Sequence, residues 1–268
     1  MECPICQNEL VKYGEAKGKE IYRCNSCGFG ETKKLIAQKK EYHRDESYVK
    51  EERLFENIFE KRVKIISRFK QKGSVLEIGC STGLMLSLLM SRGWEVTGIE
   101  ISRKAAKIAE KRGIKVIIQS FETSEINQKF DLIVLNHTLE HLTDPEEVIS
   151  KAYSLLNDKG LLYIDVPNFG GLSAKVYGMN WPLLLPEEHL WHFSEKSLSF
   201  LLEKLGFRII FINKSSGIWD YANPMQGVLQ SLIHLKKRFF NELITAVPSF
   251  LITKLGLGTD LMMIAKKN

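Results

Sequence analysis

The sequence predicts an α/β fold: a doubly wound, mostly parallel sheet preceded by a small module stapled by cysteines. Three observations predict it. From Gly73 onward, short β-branched runs alternate with helical patterns, the order that builds a parallel sheet from βαβ units. The run Val75-Leu76-Glu77-Ile78 stops abruptly at Gly79, as a buried parallel strand does where it meets a βα loop. Ahead of it, Cys3-Pro4-Ile5-Cys6 and Cys24-Asn25-Ser26-Cys27 form two C-x2-C knuckles about 17 residues apart. That spacing is a zinc-ribbon signature.

The first strand and its turn carry the chemistry. Gly79 and Gly83 let the backbone bend and lie against a ligand with no Cβ in the way. Glu77 stands at the carboxyl end of the strand, where open α/β sheets bind ligands. A second apolar strand, in Glu95–Ser102, carries another acid, Glu100, at its carboxyl end. It lies roughly 20 residues past the glycine turn, the spacing at which a carboxylate reaches ribose hydroxyls. Together the two features predict a nucleoside-containing ligand. A dinucleotide fits poorly, because Ser81 interrupts the glycine pattern and Glu77 would repel a pyrophosphate.

The stretch Val75–Gly83 resembles motif I of the class I S-adenosylmethionine-dependent methyltransferases, an acid followed by glycines at alternate positions. Here Ser81 replaces the middle glycine and Cys80 fills the variable position. The likeness continues through Ile99–Ser102, Phe130–Pro145 and Leu161–Asn168, and is greatest to the small-molecule group related to ubiquinone-biosynthesis O-methyltransferases. The resemblance implies a Rossmann-like sheet of seven strands, the last antiparallel at Leu261–Lys266. It also implies a cofactor site. Glu77, Gly79, Cys80, Ser81 and Gly83 would hold the methionine part, and Glu100 with Ile101 the ribose. Phe121 (or Glu122) would meet the adenine, and Asn136 and His137 would line the methionine end.

Four cysteine ligands, Cys3, Cys6, Cys24 and Cys27, close a tetrahedral sphere, so the expected Zn²⁺ is structural. Between the knuckles, Glu9–Tyr13 and Glu20–Arg23 read as a hairpin around the Gly14–Lys19 turn. The expected organisation is a ribbon over 1–34, a linker and lid helix over 35–72, and a methyltransferase domain over 73–268. Leu54, Phe55, Ile58, Phe59, Val63, Ile66 and Phe69 recur at helical spacing and mark the lid helix. The resemblance makes Tyr42 and Tyr48 candidate lid residues.

Two polar clusters follow later strands. The first, Asn136–Leu142, contains H-x-x-E-H, which matches an inverted zinc-peptidase motif but straddles a strand end instead of lying in a helix. Glu140 and His141 either brace the loop by hydrogen bonds, the preferred reading, or hold a second divalent cation. The resembled enzymes that use such a cation carry an acid where His137 stands, and Mg²⁺ prefers oxygen ligands. The second cluster, Glu187–Ser194, offers His189 and then His192 as the general base, with His141 as a further candidate. Before it, Phe169–Pro186 reads as an apolar cover over the acceptor, with Tyr177, Trp181 and Leu183–Leu185 as its wall. Asn157–Gly160 reads as a turn before the fifth strand, Leu161–Val166.

The chain has 268 residues, 44% hydrophobic and 26% charged, with net charge +6 and pI near 8.9. That is a solvated surface and not a dedicated nucleic-acid face. The sequence opens directly on a cysteine motif, and no apolar run is long enough to span a bilayer. A cytoplasmic protein is expected. The insertion 224–255 is a basic amphipathic stretch around Lys236-Lys237-Arg238, suited to covering the core, to a dimer contact or to peripheral membrane contact. The expected activity is O-methylation of a small-molecule, sugar or lipid-linked acceptor. Two alternatives are an RNA-directed methyltransferase docking through the ribbon and a cofactor-binding scaffold without catalysis.

Overall fold

The computed structural model describes residues 1–33, 52–215, 255 and 258–268. The lid residues Tyr42 and Tyr48 and the insertion, apart from Leu255, lie outside the described residues.

The N-terminal hairpin pairs β1 (Leu10–Ala16) with β2 (Lys19–Cys24). Lys17 and Gly18 both take positive φ, 50° and 72°, the two-residue turn whose twist suits antiparallel strands. β3 (Gly30–Thr32) pairs with β2.

The main sheet is built from β4 (Ser74–Ile78), β5 (Glu95–Ile99), β6 (Lys115–Ile117), β7 (Phe130–Asn136), β8 (Leu156–Pro167), β10 (Phe207–Ser215) and β11 (Asp260–Lys267). Its order is β10-β11-β8-β7-β4-β5-β6, with β11 antiparallel to both neighbours and the other pairs parallel. This is the seven-stranded, doubly wound sheet that the sequence predicts. Asn157–Gly160 is not a separate turn. Phe130 pairs with Leu156 and Leu132 with Leu161, so these residues bulge out of a continuous β8, with Lys159 at φ 59°.

Alternate residues of the central strands feed opposite faces. Leu76, Ile78, Ile133, Leu135, Leu162 and Ile164 enter one core. Val75, Leu132, Val134, Leu161 and Tyr163 enter the other. Helices α1 (Glu52–Ile66) and α2 (Leu84–Met90) cover the second face. On the first face lie α4 (Pro145–Leu155), capped by Asp144 on the Glu147 N–H, and α6 (Glu195–Lys204), capped by Ser194 on the Ser197 N–H. α3 (Arg103–Lys111) follows β5 and is capped by Ser102.

Between β8 and α6 run α5 (Leu172–Tyr177) and the two-residue strand β9 (Trp191–His192). β9 joins the ribbon, giving a four-stranded sheet β1-β2-β3-β9. The apolar cover expected over the acceptor also goes to the ribbon. Trp181 and Leu184 are buried with Phe169, Ala16 and Ile21, and Leu183 packs against them, while Tyr177 is exposed. An aromatic-rich loop needs a surface to bury against, and the small hairpin supplies it.

The chain leaves β4 for β5 and β6 on one side and returns to β7 on the other. The reversal opens a crevice at the carboxyl ends of β4 and β7, the place where such sheets bind ligands.

Candidate functional site

The ribbon brings Cys3, Cys6, Cys24 and Cys27 together, with all four Sγ atoms within 4.8 Å of one another. Cys3 Sγ to Cys27 Sγ is 3.7 Å and Cys6 Sγ to Cys24 Sγ is 3.5 Å. Tetrahedral Zn²⁺ with Zn–S near 2.3 Å separates its sulfurs by about 3.8 Å, so the donor set and its spacing fit the ion. The neighbouring Cys27 thiol lowers the Cys3 pKa to about 5.

The crevice is lined by Phe59 of α1, Glu77, the 79–82 turn, Leu84, Met85 and Asn136. Gly79 sits at φ 73°, and a Cβ there would come within 2.8 Å of Thr138 Oγ1. Glu77 is 3% exposed, and its Oε2 has no hydrogen-bond partner among the described residues. Burial, then the Glu100 charge, raises its pKa to about 8 against an opposing pull from Arg62. Glu100 closes the turn: Oε2 accepts from the Ser81 N–H at 2.8 Å and Oε1 from the Ser102 N–H at 2.8 Å. Ile101, next in the chain, is an aliphatic side chain 59% exposed.

Not every expected cofactor residue turns its side chain this way. Cys80 is buried against Gly98, and burial pushes its thiol pKa up. The missing Cβ of Gly83 faces Ile114 and Ala109, so this glycine also serves helix packing. The Phe121 ring is buried in the first core with the Lys151 Nζ 4.8 Å from its centroid, so it offers no stacking face to a base. Glu122 is held by Thr143 and Ser120.

Beyond Asn136 the structure assembles a polar cluster. His137 has φ 50°. Its Nδ1 is 3.4 Å from Glu140 Oε1 and its Nε2 is 3.3 Å from Arg62 Nη2. Burial alone would lower its pKa, but Glu140, Asp165 and Asp260 raise it. Glu140 is fully buried. Burial would raise its pKa, but His137, His141 and His189 hold it down at about 2, so it is ionised. His189 Nε2 lies 4.0 Å from Glu140 Oε1, while its Nδ1 donates to the Leu183 carbonyl at 3.1 Å. His141 Nδ1 donates to the Glu188 carbonyl at 3.0 Å, and its ring stands edge-on to His189, centroids 4.8 Å apart. A carbonyl can only accept, so in the neutral form of either ring Nε2 is the nitrogen left with the lone pair. His192 is engaged elsewhere: its Nε2 meets Thr32 Oγ1 at 2.8 Å, and burial, with His189 nearby, lowers its pKa to about 3.

Sequence reasoning missed three members of this region. Arg62, on α1, is buried and pairs with Asp165, while Asp260 at the start of β11 is buried nearby with its pKa raised by burial to about 6. A charged residue within an apolar helical stripe was the available signal for Arg62. A wider groove lined by Arg68, Lys70, Lys159, Arg208 and Lys266 includes no residue of the cofactor crevice.

A family model described as a methyltransferase domain matches residues 50–211. The chain belongs to that family. It is an S-adenosylmethionine-dependent methyltransferase of class I, with the Rossmann-like sheet described above. Among curated relatives, the methyltransferase is 29% identical over 146 residues to the C-methyltransferase NovU of Streptomyces niveus, covering 52% of this chain and 34% of NovU. It is 28% identical over 112 residues to the ubiquinone biosynthesis O-methyltransferase of Chromobacterium violaceum, covering 38% of this chain and 47% of that one. This chain thus spans a third to a half of these two relatives. A solved methyltransferase of Thermotoga maritima, described as a possible histamine N-methyltransferase, shares the fold: TM-score 0.58 at 19% identity, over 83% of this chain and 95% of the other. No helix among the described residues is long and apolar enough to cross a membrane.

Proposed function

We propose that this methyltransferase moves the sulfonium methyl of S-adenosylmethionine to an oxygen of a small-molecule, sugar or lipid-linked acceptor. The observation that carries the reading is the meeting of Glu140 and His189, 4.0 Å apart, at the end of the strand whose Asn136 lines the cofactor crevice. The bound cofactor supplies an already activated methyl group. The protein's work is alignment and removal of one proton. Glu77 and the Gly79–Gly83 turn hold the methionine part, and Glu100 and Ile101 the ribose side. Arg62 places a positive charge at the same end. As the acceptor oxygen takes the methyl in line, His189 Nε2 takes its proton, and the ionised Glu140 steadies the imidazolium. His192, tied to Thr32, is the weaker candidate. The relatives carry both C- and O-methyltransferase in their names. Oxygen is preferred because a neutral imidazole suits a hydroxyl proton.

The four ribbon thiolates are assigned a structural Zn²⁺, which supplies folding energy and leaves no open position for chemistry. The assigned division is a ribbon over 1–34, linker and lid helix over 35–72, and the catalytic domain over 73–268.

One observation favours a second role for the polar cluster. One ring nitrogen each of His141 and His189 and an oxygen of Glu140 lie within 4.8 Å of one another. Each ring also donates its Nδ1–H to a backbone carbonyl, as metal-bound histidines commonly do. A divalent cation there would orient the acceptor oxygen, and two imidazoles suit Zn²⁺ better than Mg²⁺.

The test is His189→Gln beside Glu140→Gln. Both are expected to lower methyl transfer about 100-fold or more, with affinity for S-adenosylhomocysteine within about twofold of wild type. Transfer at the wild-type rate in His189→Gln would remove the base assignment.

A further inference from the structure

We infer that the N-terminal ribbon is a working part of the acceptor site, and that Thr32 is a positioning residue for the Glu140–His189 pair. The inference rests on the reading that this pair serves the acceptor.

The connection is short and continuous. The Thr32 N–H donates to the Leu190 carbonyl at 2.9 Å, and the Leu190 N–H donates to the Glu140 carbonyl at 2.9 Å. A single residue therefore separates the ribbon backbone from that of Glu140, and it is the residue next to His189. Thr32 is buried, and its Oγ1 meets His192 Nε2 at 2.8 Å, which fixes the other flank of the segment. Gly30 pairs with His192 and Glu31 with Trp191. Trp191 bridges in the same sense. Its ring stacks on Phe29 of the ribbon at 5.7 Å, and its indole N–H donates to the Leu142 carbonyl, beside His141, at 2.6 Å. Further along, Ser194 Oγ donates to the Cys27 carbonyl at 2.7 Å and Lys196 Nζ to the Ser26 carbonyl at 2.6 Å.

The segment 189–196 thus takes partners from the ribbon on one side and from the 140–142 turn on the other. A two-residue strand cannot hold its own register, and here β3 sets it. The cofactor turn depends on other elements: Glu77 lies on β4, Gly79 and Glu100 directly follow β4 and β5, and Glu100 closes the turn within that half. Disturbing the ribbon should therefore move the acceptor side and spare cofactor binding. The close approach also explains Gly30, where a Cβ would lie 2.7 Å from Phe169 Cε1 and 3.0 Å from His192 Cβ.

The experiment uses the full chain as wild type, Thr32→Val, Thr32→Ser and Gly30→Ala. Two readouts need no acceptor: calorimetric binding of S-adenosylhomocysteine, and long-range ¹H–¹⁵N correlation of the histidine rings, with resonances assigned by His189→Gln and His192→Gln. Thr32→Val and Gly30→Ala are expected to shift both His189 and His192 ring nitrogens while the binding constant stays within about twofold. Thr32→Ser is expected to restore the wild-type ring pattern. A shift confined to His192, with His189 unmoved in both variants, would overturn the inference. So would a loss of S-adenosylhomocysteine binding equal to any effect on the rings, because it would mean general unfolding. Label transfer from methyl-labelled S-adenosylmethionine into cell-extract acceptors is followed in parallel. Absence of transfer by the wild type counts against the proposed function, and the ring shifts still decide the coupling.

Discussion

Arg62 Nη2 lies 2.6 Å from Asp165 Oδ2, joining α1 to the middle of the sheet through side chains 5% and 0% exposed. Two charges this far from water are costly to separate. The pair also anchors the polar cluster, since Arg62 reaches His137 on its other side. Arg62→Met should cost about 3–5 kcal/mol in urea unfolding, because it strands the Asp165 carboxylate. The double variant Arg62→Met, Asp165→Leu should recover most of that loss. Equal instability of the single and double variants would show that the pair is not the anchor.

Glu77 gives the site a pH dependence. Its folded pKa, about 8, lies above the ordinary value of 4.5, because of burial and then the Glu100 charge. The folded chain therefore holds a proton that the unfolded chain gives up. The stability from this group is full below pH 4.5 and is lost as pH rises through 8. Within that window it contributes a falling slope of up to ~1.4 kcal/mol per pH unit. Glu77→Gln should flatten that part of the stability curve. S-adenosylhomocysteine carries an ammonium that favours the ionised form, so its affinity for the wild type should rise from pH 6 to pH 8. Calorimetry in buffers of different ionisation enthalpy should then show proton release. A pH-independent affinity would contradict the role of Glu77.

Gly79→Ala tests the turn. The new Cβ would meet Thr138 Oγ1 at 2.8 Å at a φ of 73°. Affinity for S-adenosylhomocysteine should fall about 5- to 150-fold, since strain of this kind costs roughly 1–3 kcal/mol. Zinc content should not change.

Zinc analysis tests the ribbon. Purified protein should carry one Zn²⁺ per chain at the four thiolates, apart from any ion at Glu140, His141 and His189. Cys27→Ser should lower that content and reduce the near-ultraviolet dichroism of Trp191, which stacks on Phe29 beside Cys27. Full zinc content in Cys27→Ser would reject the four-cysteine site.

Local patterns made the sheet and the cofactor turn legible, because strand, glycine turn and second acid lie within one βαβ unit. The four cysteines were equally plain from their spacing. What stayed hidden depended on distance along the chain. Nothing around Glu140 announces that His189, 49 positions later, will face it, or that Thr32 will sit one residue away. Arg62 offered only a charge set within an apolar helical stripe, because its partner, Asp165, is on a distant strand. Asn157-Asp158-Lys159-Gly160 is as strong a turn signal as sequence offers, yet neighbouring pairings carry β8 through it as a bulge. Phe121 stands where a family motif would put a ligand contact, but its side chain is buried in the core, and Cys80 lines the crevice while its Sγ packs against Gly98.

The most direct test of the central claim is incubation of the protein with methyl-labelled S-adenosylmethionine and a cell extract, followed by separation of lipid, small-molecule and RNA fractions. Label is predicted in the lipid or small-molecule fraction, and it should disappear with His189→Gln. Label in RNA, or no label in any fraction, would contradict the account.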